Sequence, residues 1–205
     1  RVRSYARDIV QHGRRMADII RDFTGVTARE TSDQRQPVHL ERELDQAISM
    51  LTNSMNTSEL TIERRYAGDT SVLALPDQLR QAFTNVLMNA IQAMKGRGTL
   101  RLSTSLTDTF VVTTITDSGP GIPKQHLSKL FDPFFTTKGQ GEGSGLGLTV
   151  ARRIIKKFGG DIRIQSEEGQ GTSCYVTLPT MSVLPTQEAS CIESKSRSTP
   201  QPSPS

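Results

Sequence analysis

The sequence predicts an α+β fold, a two-layer sandwich with one helical layer on one mixed, mostly antiparallel sheet. Three observations predict it. Short stretches rich in alternating apolar residues recur between turn residues, as strands do. Longer stretches carry apolar residues at helical spacing, as amphipathic helices do. A Gly-, Pro- and Phe-rich run from Asp117 to Gly145 has no sustained period, so one long loop interrupts the domain.

The elements follow in order. Val2, Tyr5, Ile9, His12, Met16, Ile19, Phe23 and Val26 step by three and four without a slip, the seam of a coiled coil or bundle. One helix cannot bury such a seam alone, so residues 1–30 are expected to pair with a helix outside the sequence or with a second copy. The polar run from Thr27 to Pro37 supplies a linker, bounded here at 31–36. A short strand at Val38 to Leu40 precedes a helix from Glu41 to Asn53, whose buried face is Leu44, Ala47, Ile48 and Leu51. Leu60 to Tyr66 and Ser71 to Leu75 read as strands. Pro76 and Asp77 open a helix that runs to Met94, where Gly96 and Gly98 follow. Leu100 to Leu106 and Phe110 to Thr116 form a hairpin across Thr107 to Thr109. The long loop holds one helical turn near Lys124 to Leu130. A helix from Leu146 to Phe158 ends at Gly159 and Gly160, and strands at Asp161 to Ser166 and Thr172 to Leu178 complete the domain, 37–180. From 181 to 205 Ser, Pro, Thr and Gln leave little to bury, and this tail is expected to be disordered.

Composition removes several functions. The 205 residues carry 25 basic and 21 acidic side chains, a net charge of +4, with 5% aromatics and no Trp. That is too little positive charge and too few stacking rings for a nucleic-acid partner. Cys174 and Cys191 stand apart with no CxxC or His spacing, so neither a zinc site nor a disulfide framework is indicated. No apolar run approaches the roughly 20 residues of a membrane helix. The first residue is Arg1 rather than Met, so we expect a fragment, with any membrane anchor upstream.

Four motifs are spaced as a nucleotide site requires. Asn85 and Asn89 lie one helical turn apart on one face, and an amide oxygen together with phosphate oxygens can hold magnesium. Paired Asn residues on a helix are more often plain surface. Asp117, Gly119 and Gly121 in TDSGPGIP follow a strand, where a buried carboxylate can accept a hydrogen bond from an exocyclic amine and glycines admit a flat ring. An ordinary Asp-Gly turn competes with that reading. LFDPFFTTK places Phe131, Phe134 and Phe135, which could be core, before Lys138, a mobile cation suited to phosphate. GQGEGSGLGL runs from Gly139 to Leu148 into a helix, whose N-terminus and backbone N–H groups form an anion cradle.

Together these residues resemble the ATP-binding domain of two-component sensor histidine kinases, in the superfamily that also holds gyrase, chaperone and mismatch-repair ATPases. NVLMNA, DSGPGIP, FDPFFTTK and GSGLGL stand in the order of that family's Asn, first glycine, Phe and second glycine boxes. The resemblance covers about 37 to 180 and implies a Bergerat-type fold and ATP and magnesium as cofactors. It implies that Asn89 ligates magnesium with Asn85 beside it, that Asp117 reads the adenine amine, and that Gly119 and Gly121 shape the pocket. It assigns Lys138, Gly143, Ser144, Gly145, Leu146 and Gly147 to a lid over the phosphates, Phe131 to the nucleotide site, and Thr172 to the adenine side. PFFTTK and NAIQAM look most like the nitrogen-regulation and dicarboxylate-sensing branch.

One position separates kinase from ATPase. The ATPases of the superfamily carry a water-activating Glu one turn before the magnesium Asn, and here that residue is Asn85, which takes up no proton at neutral pH. The phosphoacceptor is expected upstream. His12 is followed by Gly13 and Arg14 and falls on the seam, so residues 1–30 resemble the second helix of the family's dimerising hairpin, without the acceptor. His39 and His126 lack the acceptor's flanking pattern and are expected to be solvated. The implied partners are a second copy through the hairpin and the receiver domain of a response regulator. The implied location is cytoplasmic, with a membrane only through upstream segments. Two other readings stand beside this one: a degenerate module that uses ATP only for dimerisation or docking, and a superfamily ATPase.

Overall fold

The computed structural model describes residues 34–68, 70–139 and 143–181. The expected helix at 1–30, the first half of the linker (31–33) and the tail from 182 lie outside the described residues, as do His12 and Cys191. Among the described residues seven strands and four helices follow in the order β1 (Gln36–His39), α1 (Leu40–Ser54), β2 (Glu59–Arg65), β3 (Ser71–Ala74), α2 (Pro76–Ala93), β4 (Arg97–Leu106), β5 (Phe110–Asp117), α3 (Lys124–Leu127), α4 (Gly147–Lys157), β6 (Asp161–Glu167) and β7 (Gly171–Pro179).

The strands make two sheets rather than the single one expected. β1 and β3 pair antiparallel as a ribbon, and the other five form a mixed sheet in the order β2-β4-β5-β7-β6. Only β2 and β4 run parallel within it. A parallel pair needs a crossover, and β3 with α2 provides it. The boundary at Leu40 also differs from expectation: it begins α1 instead of ending β1, because its side chain is fully buried with Leu44 beneath the helix.

The alternation in β5 explains the layering. Val111, Thr113, Ile115 and Asp117 point inward and are buried, while the residues between them face outward. Leu100 and Leu102 of β4 and Cys174, Val176 and Leu178 of β7 share that inner face. Helices α1, α2 and α4 cover it, with α2 in the middle touching both neighbours. Phe83, Leu79, Leu87 and Ile91 of α2 are fully buried at the centre. Removing a ring such as that of Phe83 costs about 3–5 kcal/mol, so α2 is the keel of the domain. Its other face, with Asn85 and Asn89, is thereby fixed in position.

Pro76 starts α2, and the helix ends where the Gly96 N–H returns to the Ile91 carbonyl at 3.0 Å. Arg80 of α2 reaches Glu43 of α1 at 3.0 Å and also bonds Gln46 and Asp77, which closes the α1–α2 contact. Burial pushes the Glu43 carboxyl upward, and the Arg80 guanidinium pulls it back.

Candidate functional site

Asp117 is the last residue of β5, and the inward phase of that strand buries its carboxylate to 5% exposure. Its Oδ1 accepts the Gly119 N–H at 2.9 Å, and the Thr172 N–H across the β5–β7 register also bonds it. Burial raises its pKa, and these two N–H groups oppose the rise. A carboxylate so held has acceptor capacity left for a base amine.

The loop after Asp117 is stitched to its surroundings. Ser118 exchanges bonds with Thr99, its N–H donating to the carbonyl at 3.1 Å and its Oγ accepting the N–H at 2.9 Å. Ser166 Oγ accepts the Ile122 N–H at 2.8 Å, donates to the Gly171 carbonyl at 2.7 Å, and lies 3.0 Å from Thr172 Oγ1. Gly121 has φ +72°, and a Cβ there would stand 2.0 Å from the Glu167 carbonyl oxygen. Only glycine fits. At Gly119 a Cβ would meet Asp117 Oδ1 at 2.7 Å and Met94 at 3.4 Å, so the end of α2 and the loop close on each other. A cleft of about 460 Å³ opens there, lined by residues including Ala93, Met94, Ser118, Gly119 and Pro120.

From Met94, which caps α2, back to Asn85 is nine residue steps, about 13 Å along the helix. Asn85 and Asn89 stand one turn apart on this stretch, and the first residue of α4 meets both. A Cβ on Gly147 would lie 3.8 Å from Asn85 Cγ and from Asn89 Nδ2. Asn89 Oδ1 accepts from Lys138 Nζ at 3.1 Å, and the same ammonium bonds Gln92 Oε1. Asn85 Nδ2 is buried and finds no partner among the described residues. Gln78 Oε1, Thr113 Oγ1 and Thr180 Oγ1 share that condition, but Asn85 alone of the four lies beside Asn89 and Gly147. An orphaned buried amide costs about 1–3 kcal/mol, which a bound ligand or water would recover.

The loop between Phe134 and Gly145 is pinched at its base. The Phe134 N–H donates to the Gly145 carbonyl at 2.9 Å, and Gly145, at φ +68°, leaves no room for a Cβ, which would fall 2.4 Å from the Phe134 carbonyl carbon. Phe134 itself has φ +66° and is 62% exposed, so the expectation that all three Phe residues could be core holds only in part. Phe131 packs against the core, with Arg152 4.9 Å above its ring and the Thr149 hydroxyl on its carbonyl at 3.1 Å. It anchors the loop to α4. Ser144 Oγ accepts the Leu146 N–H at 3.2 Å, and buried Leu146 leads into α4. A Cβ on Gly143 would lie 3.5 Å from Lys138 and Thr136. Residues 140–142 lie outside the described residues.

Sequence reasoning missed Gln92 and Ser166. Gln92 could have been found, since it follows Asn89 by three residues on the same face. Ser166 could not, because its role depends on which strands pair. His39 is exposed and lies 2.9 Å from Ser71 Oγ; His126 rests against Phe135 with ring centres 5.7 Å apart. His126 is thus less solvated than expected.

The donor set suits a hard cation. Asn89 Oδ1 is a neutral oxygen already facing a positive charge, and no cluster of three or more His, Cys, Asp or Glu among the described residues offers a transition-metal cage. One amide oxygen with phosphate and water oxygens matches magnesium.

Comparison with known proteins places the chain in a family. Residues 74–182 match the family of histidine kinase-, DNA gyrase B- and HSP90-like ATPases. The sensor histidine kinase ZraS of Escherichia coli K12 is 36% identical over 146 residues, 70% of this chain and 31% of that protein. Sporulation kinase C of Bacillus subtilis is 34% identical over 138 residues, 66% of this chain and 32% of that protein. The chain spans about a third of the length of these relatives. Among solved structures, the mycobacterial sensor histidine kinase MprB superposes with a TM-score of 0.64 at 27% identity, over 71% of this chain and 97% of that one. The chain belongs to the histidine kinase-, DNA gyrase B- and HSP90-like ATPase family.

Proposed function

We propose that the chain is the ATP-binding core of a sensor histidine kinase, which takes up Mg-ATP and passes its γ-phosphoryl group to a histidine for relay to a response-regulator aspartate. The observation that carries this is the pair on α2: an amide oxygen at Asn89 facing a cation, and at Asn85 an amide where a water-activating enzyme needs a carboxylate.

In this reading Asp117 accepts the adenine amine, with Gly119, Gly121 and Thr172 shaping that end. Asn89 would hold magnesium, which supplies charge neutralisation on the phosphates. Lys138 and the backbone from Gly143 to Gly147 position the phosphate oxygens, and Asn85 donates its orphaned amide hydrogen to the bound ligand. A histidine nitrogen attacks the γ-phosphorus, the bond to the bridging oxygen breaks, ADP leaves with that bond's electron pair, and the remaining N–H proton of the phosphorylated imidazole passes to solvent. Positioning does the chemistry, because the side chains described around the phosphate end are the amides of Asn85 and Asn89 and the Lys138 ammonium, none of them a general base. The acceptor histidine is proposed to lie outside this sequence, and the seam at residues 1–30 to join two copies. PFFTTK and NAIQAM support placement near the nitrogen-regulation branch.

Calorimetry with Mg-ATP, followed by phosphotransfer to an acceptor-helix fragment added in trans, tests the reading. Uptake with transfer is expected. Steady ATP hydrolysis without a histidine substrate would favour the ATPase reading, and binding without transfer would favour the docking module.

A further inference from the structure

We propose that Lys138 is a placeholder cation, held on the metal-ligating oxygen of Asn89 by Gln92 while nucleotide is absent and exchanged for the divalent ion when Mg-ATP enters. The inference rests on the reading above that Asn89 holds the metal.

Three features carry it. The Lys138 ammonium lies 3.1 Å from Asn89 Oδ1, the atom assigned to the metal. Gln92 Oε1 takes the same ammonium, and its position three residues after Asn89 places both oxygens on one face of the last turns of α2. Magnesium sits about 2.1 Å from its oxygen ligands, so ion and ammonium sharing Oδ1 would stand within about 5 Å of each other and repel. The two cations exclude each other, and the arriving phosphates offer the displaced ammonium a charged acceptor.

The choice of partners suits release. Among the described contacts of Lys138, those to Asn89 and Gln92 are to neutral amide oxygens, which hold an ammonium less tightly than carboxylates do. The placeholder also stabilises the free protein, since it keeps a half-buried acceptor on α2 satisfied before the ligand arrives. Gln92 is therefore a positioning residue: it sets how hard the free state resists metal entry, without touching the nucleotide. Its side chain is half-buried, and the packing of that turn is carried by Ile91 and Met94.

The test is a double-mutant cycle with Gln92→Met and Lys138→Met, in which a magnesium complex of a non-hydrolysable ATP analogue is titrated by calorimetry. Gln92→Met removes an anchor of the free state, so affinity should rise about three- to tenfold. In the Lys138→Met background the same change should do nothing. Weaker or unchanged binding by the Gln92→Met protein overturns the placeholder. A second readout needs no nucleotide: reductive methylation of the free protein, followed by mass spectrometry at Lys138. Gln92→Met should speed labelling there, and an equal rate overturns the contact. Wild-type protein that takes up the analogue while Gln92→Met fails to tighten sinks only the placeholder. Wild-type protein that takes up none sinks the function reading as well.

Discussion

The two ends of the site are built on different terms. At the Asp117 end the carboxylate, the glycine loop and strands β6 and β7 are joined by Gly119, Thr172, Ser118 and Ser166, and little rearrangement is left for a ligand to cause. At the Asn85 end one buried amide nitrogen has no partner among the described residues, the next amide is occupied by a lysine from a loop, and that loop is fastened at Phe134 and Gly145. A base is flat and uncharged, so a rigid slot can recognise it. A triphosphate with its metal brings several charges, which cannot be matched in advance without burying unpaired groups. The difference teaches that completeness of hydrogen bonding divides this site into a preformed half and a half that the ligand completes.

The largest break in that contrast is a methyl group on each side. Gly121→Ala should cost about 3 kcal/mol or more, since it adds both a positive-φ strain and a Cβ 2.0 Å from the Glu167 carbonyl oxygen. Gly143→Ala should cost under about 0.5 kcal/mol, its Cβ meeting only ordinary contacts at 3.5 Å. Urea unfolding of the two variants checks this; equal losses would mean the halves are equally rigid. Asp117→Ala should weaken nucleotide binding about 100-fold by calorimetry, the loss expected for a buried charge-assisted bond, with and without magnesium alike. Asn89→Ala should act differently. Affinity for Mg-ATP should fall about tenfold, while affinity for ATP in chelator should not fall, because the oxygen removed serves the metal in the complex and the Lys138 ammonium in the free protein.

How far the sequence disclosed this division can be read from particular residues. Asn85, Asn89 and Asp117 were legible because each sits on a regular element whose period fixes its direction: one helical turn between the two amides, and the inward phase of β5 for the carboxylate. The strands were found, but their sorting into a ribbon and a five-stranded sheet was not, since pairing between β1 and β3 depends on contacts across the chain rather than on pattern. Phe134 misled for a related reason. Three clustered Phe residues suggest a core, yet the turn that lets Lys138 reach Asn89 places this ring outside at positive φ. Ser166 gave no signal at all, because its three contacts come from segments distant in sequence or created by a turn.

The smallest expected effects are on stability, and they sharpen the comparison from both ends. Asn85→Ala removes an amide whose buried Nδ2 has no partner among the described residues, so it should change stability by under about 1 kcal/mol while phosphotransfer drops. Asp117→Asn probes the preformed half through pH. Burial holds the folded pKa of Asp117 above its ordinary value, so between those two values the native state binds more protons than the unfolded chain. The wild-type protein therefore loses stability as pH rises through that window and keeps the loss at neutral pH. Asparagine cannot ionise, yet its Oδ1 can still accept the Gly119 N–H. The variant should show a flatter stability profile across the window and melt at the same temperature or slightly higher at neutral pH, while binding ATP poorly. If it melted lower at neutral pH, the ionised carboxylate would be holding the β5–β7 end together. The base slot would then owe its rigidity to that charge rather than to the glycine and serine contacts around it.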